Sequence, residues 1–176
     1  MSIQASCTLI AVTGGKGGVG KSVFAANFAC AMQTELRAGV LLLDCDSKSV
    51  GDQNVIMGIK PTKTIKDLAN STTSLNSQPI QQWVNAHASG VSFLGGVRGP
   101  EELFNLSPDQ ISKVLDYVSR HFKYIIVDIG NDLGPAQMAV IQEATAVMVV
   151  TAPEVLVVTQ TIRLINDLFT ATVPKD

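Results

Sequence analysis

A lysine, a serine and three aspartates define the chemistry open to this chain. Gly15, Gly20, Lys21 and Ser22 complete a G-x-x-x-x-G-K-[ST] pattern inside Thr8–Ala26, where an apolar run leads into glycines and then into a helical repeat. Glycines at that spacing let successive backbone N–H groups turn inward around a phosphate; the lysine adds charge and the serine a hydroxyl able to ligate Mg²⁺. The candidate phosphate cradle is thus Gly15, Lys16, Gly17, Gly18, Val19, Gly20, Lys21, Ser22 and Val23. A helix starting there adds unpaired N–H groups and the positive end of its dipole. Asp128 ends the apolar run YIIVD, at the position where a carboxylate supports a metal ion or its waters beside such a cradle. Asp44 and Asp46 end a second run, VLLLDCD. All three acids fall at C-terminal strand ends, where open α/β sheets bind ligands.

The elements that must position these residues are legible as alternating runs. Residues 8–13 read as a strand and Val23–Gln33 as a helix, with Phe24, Ala25, Phe28, Ala29 and Met32 at helical spacing. Val40–Leu43, Val91–Leu94, Tyr124–Val127 and Ala146–Thr151 read as further strands. Short helices are expected around Thr64–Ala69 and over Pro79–Ala88, the second with Ile80, Trp83, Val84 and His87 on one side. A surface loop is expected over 70–78. Ser107-Pro108-Asp109-Gln110 carries an N-cap serine, a proline at the first helical position and a capping-box glutamine, so a helix runs from there to about Arg120. Helices to about Ala144 and over Val155–Phe169 complete the pattern, which implies an α/β domain with a mostly parallel sheet flanked by helices.

At 176 residues the chain suits a single domain, 1–176, and 46% hydrophobic with only 5% aromatic content points to a Val/Ile/Leu/Ala core. A net charge of −2 leaves no basic footprint for broad DNA binding. Cys7, Cys30 and Cys45 form no C-x-x-C pair, so a reducing, cytoplasmic setting with core cysteines is expected. No apolar run approaches the roughly 20 residues that span a bilayer.

The segment GGKGGVGKS, with Lys16 as an additional lysine, resembles the deviant Walker A motif of the ParA/MinD family of ATPases; VLLLDCD resembles that family's second acidic motif, and YIIVDIGNDLG its Walker B and switch II. The resemblance implies an ATP-dependent homodimer in which Lys16 reaches the phosphates held by the partner, Asp44 stands on the magnesium side with Ser22 and Asp128, and Asp46 orients the hydrolytic water. It makes Lys16, Lys21 and Asp46 the catalytic set, with ATP and Mg²⁺ as cofactors. TAPEV resembles a family segment near the dimer interface and brings in Glu154. CDSKSVGDQNVIMGIKPTKTIKDLA and LGGVRGPEELFNLSPDQISKVLDYVSRHFKYIIVD resemble the TadZ/CpaE group that positions pilus secretion machinery.

The resemblance therefore implies a slow, partner-stimulated ATPase switch, recruited to a pole or a membrane-associated complex. A positioning scaffold with little turnover, and a DNA-partition or septum-site ATPase, are the alternatives. Ser47-Lys48-Ser49-Val50-Gly51 stands where partition proteins carry Pro-Gln-Gly-Asn, and the three cysteines lie outside the cluster region of the family's iron protein. Only Pro174-Lys175-Asp176 approaches a guanine-reading N/T-K-x-D motif, which favours adenine. The family's base-reading asparagine follows a strand beyond the last helix, so either the chain is a fragment lacking that C-terminal edge or the sheet is completed differently.

Overall fold

The computed structural model describes residues 6–71, 78–99 and 104–172. Six strands, β1 (Thr8–Thr13), β2 (Val40–Asp44), β3 (Asn85–Ala86), β4 (Ser92–Leu94), β5 (Tyr124–Asp128) and β6 (Ala146–Val149), form one sheet in the order β3-β4-β2-β5-β1-β6. Every pairing is parallel except β3 with β4. The helices are α1 (Lys21–Leu36), α2 (Asp52–Ile56), α3 (Ile65–Ala69), α4 (Pro108–Ser119), α5 (Pro135–Glu143) and α6 (Val155–Thr172).

Continuous apolar runs form the central strands because both faces are covered. Ile10, Val12, Val40, Leu42 and Ile126 face Ala25, Ala26 and Ala29 of α1, whereas Leu9, Ala11, Leu41, Leu43, Ile125 and Val127 face α3, α4 and α5. Alternate residues of each strand thus feed two cores, as the pleat requires. The capping box expected at α4 is present: Gln110 N donates to Ser107 Oγ at 3.3 Å and Ser107 N to Gln110 Oε1 at 2.9 Å.

Two expectations are corrected. Pro79–Ala88 is not a helix but a single 3₁₀ turn, Ile80–Gln82, followed by β3. Ile80 and Trp83 are both buried, and a 3₁₀ turn brings i and i+3 to one side just as a helix would. Asn85 and Ala86 then pair with Phe93 and Ser92, and the tertiary pairing decides the outcome. A half-buried knot of Cys30, His87 and Ser89 fixes this hairpin to α1, with Ser89 Oγ 3.2 Å from Cys30 Sγ. The second correction concerns the stretch from Ser47 toward Thr64, whose weak pattern reads as loop: Asp52–Ile56 within it forms α2. Residues 72–77 of the expected 70–78 loop lie outside the described residues.

Candidate nucleotide and metal site

The P-loop joins β1 to α1 at the C-terminal edge of the sheet centre. Gly20 caps α1 with φ 90°, a left-handed conformation that strains any residue with a side chain, and Phe24 N closes the first helical bond onto Gly20 O at 2.8 Å. Lys21 is the first residue of α1 and is buried. Its Nζ donates to the carbonyl of Lys16 at 3.0 Å, so the ammonium is held over the loop by the loop's own backbone. The Lys16 side chain is half-buried, Gly17 and Gly18 are exposed, Val19 is half-buried, and Val23 is exposed on α1. A cleft of about 300 Å³ opens beside Gly15, bounded by Asn131, Gln160 and Arg163.

The parallel register pairs Asp44 of β2 with Asp128 of β5 on adjacent strands. Asp128 is fully buried and Asp44 is 2% exposed. Burial, and then the charge of Asp128, pushes the Asp44 carboxyl well above the usual range. Asp128 is raised as well, by burial, against the lowering pull of hydrogen bonds from Ser22, Gln53 and Gly130. Between the two acids of β2's end, the buried Cys45 thiol is pushed well up by its own burial and by the charges of Asp44 and Asp128. Among the described residues no lysine or arginine forms an ion pair with Asp44 or Asp128.

Asp46 is 5% exposed and accepts from the backbone N–H groups of Lys48 at 2.7 Å and Ser49 at 3.1 Å. Its carboxyl lies against Gly130, where an added Cβ would stand 2.4–2.6 Å from its atoms, so only glycine fits at the start of the loop after β5. The two acidic loops are tied together: Ser47 Oγ donates to Asp132 at 3.1 Å, Lys48 pairs with Asp132 at 3.5 Å, and Gln137 Nε2 donates to the Cys45 carbonyl at 2.8 Å. Thr13 Oγ1, at the mouth of the P-loop, donates to the Gly130 carbonyl at 2.8 Å.

The donor set suits Mg²⁺. Among the described residues no three His, Cys, Asp or Glu side chains assemble a direct metal cage. Mg²⁺ does not need one, since it keeps several waters and takes one or two carboxylates together with phosphate oxygens. The Ser22 hydroxyl next to the buried Asp128, which has no ion-pair partner among the described residues, meets that requirement. Lys21, Ser22, Asp44, Asp46 and Asp128 all stand around the C-terminal ends of β1, β2 and β5. Glu154 is different: it is exposed at the start of α6, outside this network, with only its backbone bonded to Ala152 and Val158. Sequence reasoning missed Thr13, Gln53 and Gln137, because a lone buried polar residue carries no spacing signal.

Comparison with known proteins decides the lineage. Residues 10–172 match the CobQ/CobB/MinD/ParA nucleotide binding domain. The chain belongs to this family. Among curated members of the CobQ/CobB/MinD/ParA family, it is 28% identical over 161 residues to the antiactivator FleN of Pseudomonas aeruginosa, covering 90% of this chain and 55% of FleN. It is 28% identical over 164 residues to the septum site-determining protein MinD of Thermotoga maritima, covering 90% of this chain and 57% of that protein. The chain therefore spans little more than half the length of these relatives. Its fold superposes on the Pyrococcus horikoshii MinD complexed with Mg-ADP with a TM-score of 0.76 at 21% identity, over 95% of this chain and 67% of that one.

Proposed function

We propose that this chain is a Mg²⁺-dependent ATP-binding and hydrolysing switch that pairs with a second copy when ATP is bound, and thereby positions a partner assembly. One observation carries this reading: Lys21, held over the P-loop by the Lys16 carbonyl, and Ser22 open α1 beside the buried Asp44, Asp46 and Asp128 at the C-terminal ends of β2 and β5. In this reading the N–H groups of Gly15 to Val23 and the Lys21 ammonium bind phosphate. Ser22, Asp44 and Asp128 hold Mg²⁺, whose role is to neutralise phosphate charge. Asp46 orients the attacking water, Lys16 reaches into the partner copy, and Glu154 contacts nucleotide from the α6 side. The names of MinD and FleN support a regulatory or site-determining role. The finer assignment, to pilus or secretion machinery in the cytoplasm or at a pole, rests on the TadZ/CpaE-like segments around Gly51-Asp52 and Lys60–Leu68.

Light scattering and phosphate release test the proposal together. At protein concentrations where the nucleotide-free chain is at protomer mass, ATP with Mg²⁺, but not ADP, should double the mass of the protein. Lys16→Ala should bind nucleotide yet stay at protomer mass. Asp46→Ala should lower turnover by about 100-fold or more, the scale of losing a residue that activates the attacking water. Turnover equal in wild type and Asp46→Ala would leave a nucleotide-binding scaffold instead of an ATPase.

A further inference from the structure

Gln53, on α2, is 1% exposed, and the nucleotide reading gives it no task beyond its bond to Asp128. Its Nε2 donates to the carbonyl of Ser22 and to Oδ2 of Asp128, each at 2.9 Å. Both amide hydrogens are therefore used, and both go to residues assigned to the metal. Oε1, on the same planar group, is enclosed and has no hydrogen-bond partner. Turning the amide over would set Oε1 against two acceptors, so the orientation is dictated by its neighbours. An enclosed carbonyl without a donor is unfavourable and calls for a reason.

The reason lies in the two bonds of Nε2, which tie Asp128 to the first turn of α1 at the cost of the unpaired oxygen. Mg²⁺ demands near-ideal octahedral geometry, so groups fixed in advance suit it. A neutral amide also suits the place better than a third carboxylate, since Asp44 and Asp128 already repel one another. We propose that Gln53 is a positioning residue of the metal centre: its Nε2 holds the Asp128 carboxylate and the first turn of α1 in the arrangement that receives Mg²⁺. Metal loading is thereby coupled to α2, which begins six residues after Asp46.

The inference rests on the Mg²⁺-nucleotide reading, and its test separates the two. ADP affinity is measured by calorimetry in excess Mg²⁺ and in EDTA, for wild type and for Gln53→Met, which keeps the volume and removes the hydrogen bonds. The wild type should bind more tightly with Mg²⁺. Gln53→Met should lose about tenfold of that enhancement while its affinity in EDTA is unchanged. An equal enhancement in both proteins overturns the role of Gln53 alone; a wild type that binds no ADP overturns the nucleotide reading and this inference with it. Should Gln53→Met fail to fold, the unmodified protein still decides. With ADP and Mn²⁺ in place of Mg²⁺, the side-chain amide NMR signal of Gln53 should broaden beyond detection, and a signal that stays sharp overturns the proposal.

Discussion

Asp44 shows how a binding site is held at the expense of stability. Its carboxyl and that of Asp128 are raised by burial, and for Asp44 the charge of Asp128 adds to the effect. In the unfolded chain both ionise near the ordinary carboxylate value of 3.8. Between that value and the raised folded ones, the native state binds more protons than the unfolded state, so stability falls as pH rises, and the penalty is complete above the folded values. Asp67 runs the other way, because Arg98 and Thr64 hold its carboxyl low. A comparison of wild type with Asp44→Asn cancels Asp67 and isolates the β2 acid. The asparagine keeps an acceptor for Asp46 N but removes the buried charge. Thermal unfolding without metal or nucleotide should therefore show Asp44→Asn melting about 2–4 °C higher at neutral pH, roughly 1 kcal/mol for a domain of this size, with a flatter dependence on pH. A variant that melts lower, or that keeps the wild-type slope, contradicts this electrostatic account.

At the scale of elements, the position of the P-loop depends on how closely α1 approaches the sheet. Ala25, Ala26 and Ala29 are buried against Ile10, Val12, Leu42 and Ile126, and their small side chains let the helix lie near the strands that carry Asp44 and Asp128. Ala29→Leu adds volume where none is free. It should cost about 1–3 kcal/mol in urea unfolding and weaken nucleotide binding as well, because α1 moves Lys21 and Ser22 with it. Unchanged affinity in a destabilised Ala29→Leu protein would show that the cradle adjusts independently of the helix. Ala26 fell outside the face read from helical spacing, but Ala25, Ala29 and the strands they face were legible in the sequence, since apolar runs and helical spacing are local signals. So were Lys21, Ser22 and the three aspartates, whose spacing is fixed by the phosphate or by the strand end. The segment 79–88 was misread because Ile80 and Trp83 imitate a helix while Phe93, distant in sequence, supplies the pairing partner. Gln53 was invisible for a related reason: only the packing of α2 brings it to Asp128, 75 residues away.

For the molecule as a whole, α6 and β6 set the behaviour of the outer edge. Along α6, Val157, Thr161 and Leu164 are buried, and Leu168 packs on the core. A second apolar row faces solvent: Val155 is 83% exposed, Val158 43%, Ile162 55%, Ile165 36% and Phe169 66%. Both rows follow the three- and four-residue spacing of a helix face, so α6 is apolar on two sides, the pattern of a helix suited to lie between layers. Strand β6 ends the sheet beside β1, and among the described residues no strand pairs with its outer side. An exposed apolar row next to an open strand edge favours association that owes nothing to nucleotide. Sedimentation in EDTA without nucleotide should show the mass rising along a protein concentration series. Ile162→Lys combined with Phe169→Lys should hold the chain at protomer mass with an unchanged melting temperature, since both side chains already face water. The same double variant separates this association from the proposed ATP-dependent pairing through Lys16. A wild-type chain that stays at protomer mass across the series would show that the α6 row is tolerated by the isolated fold.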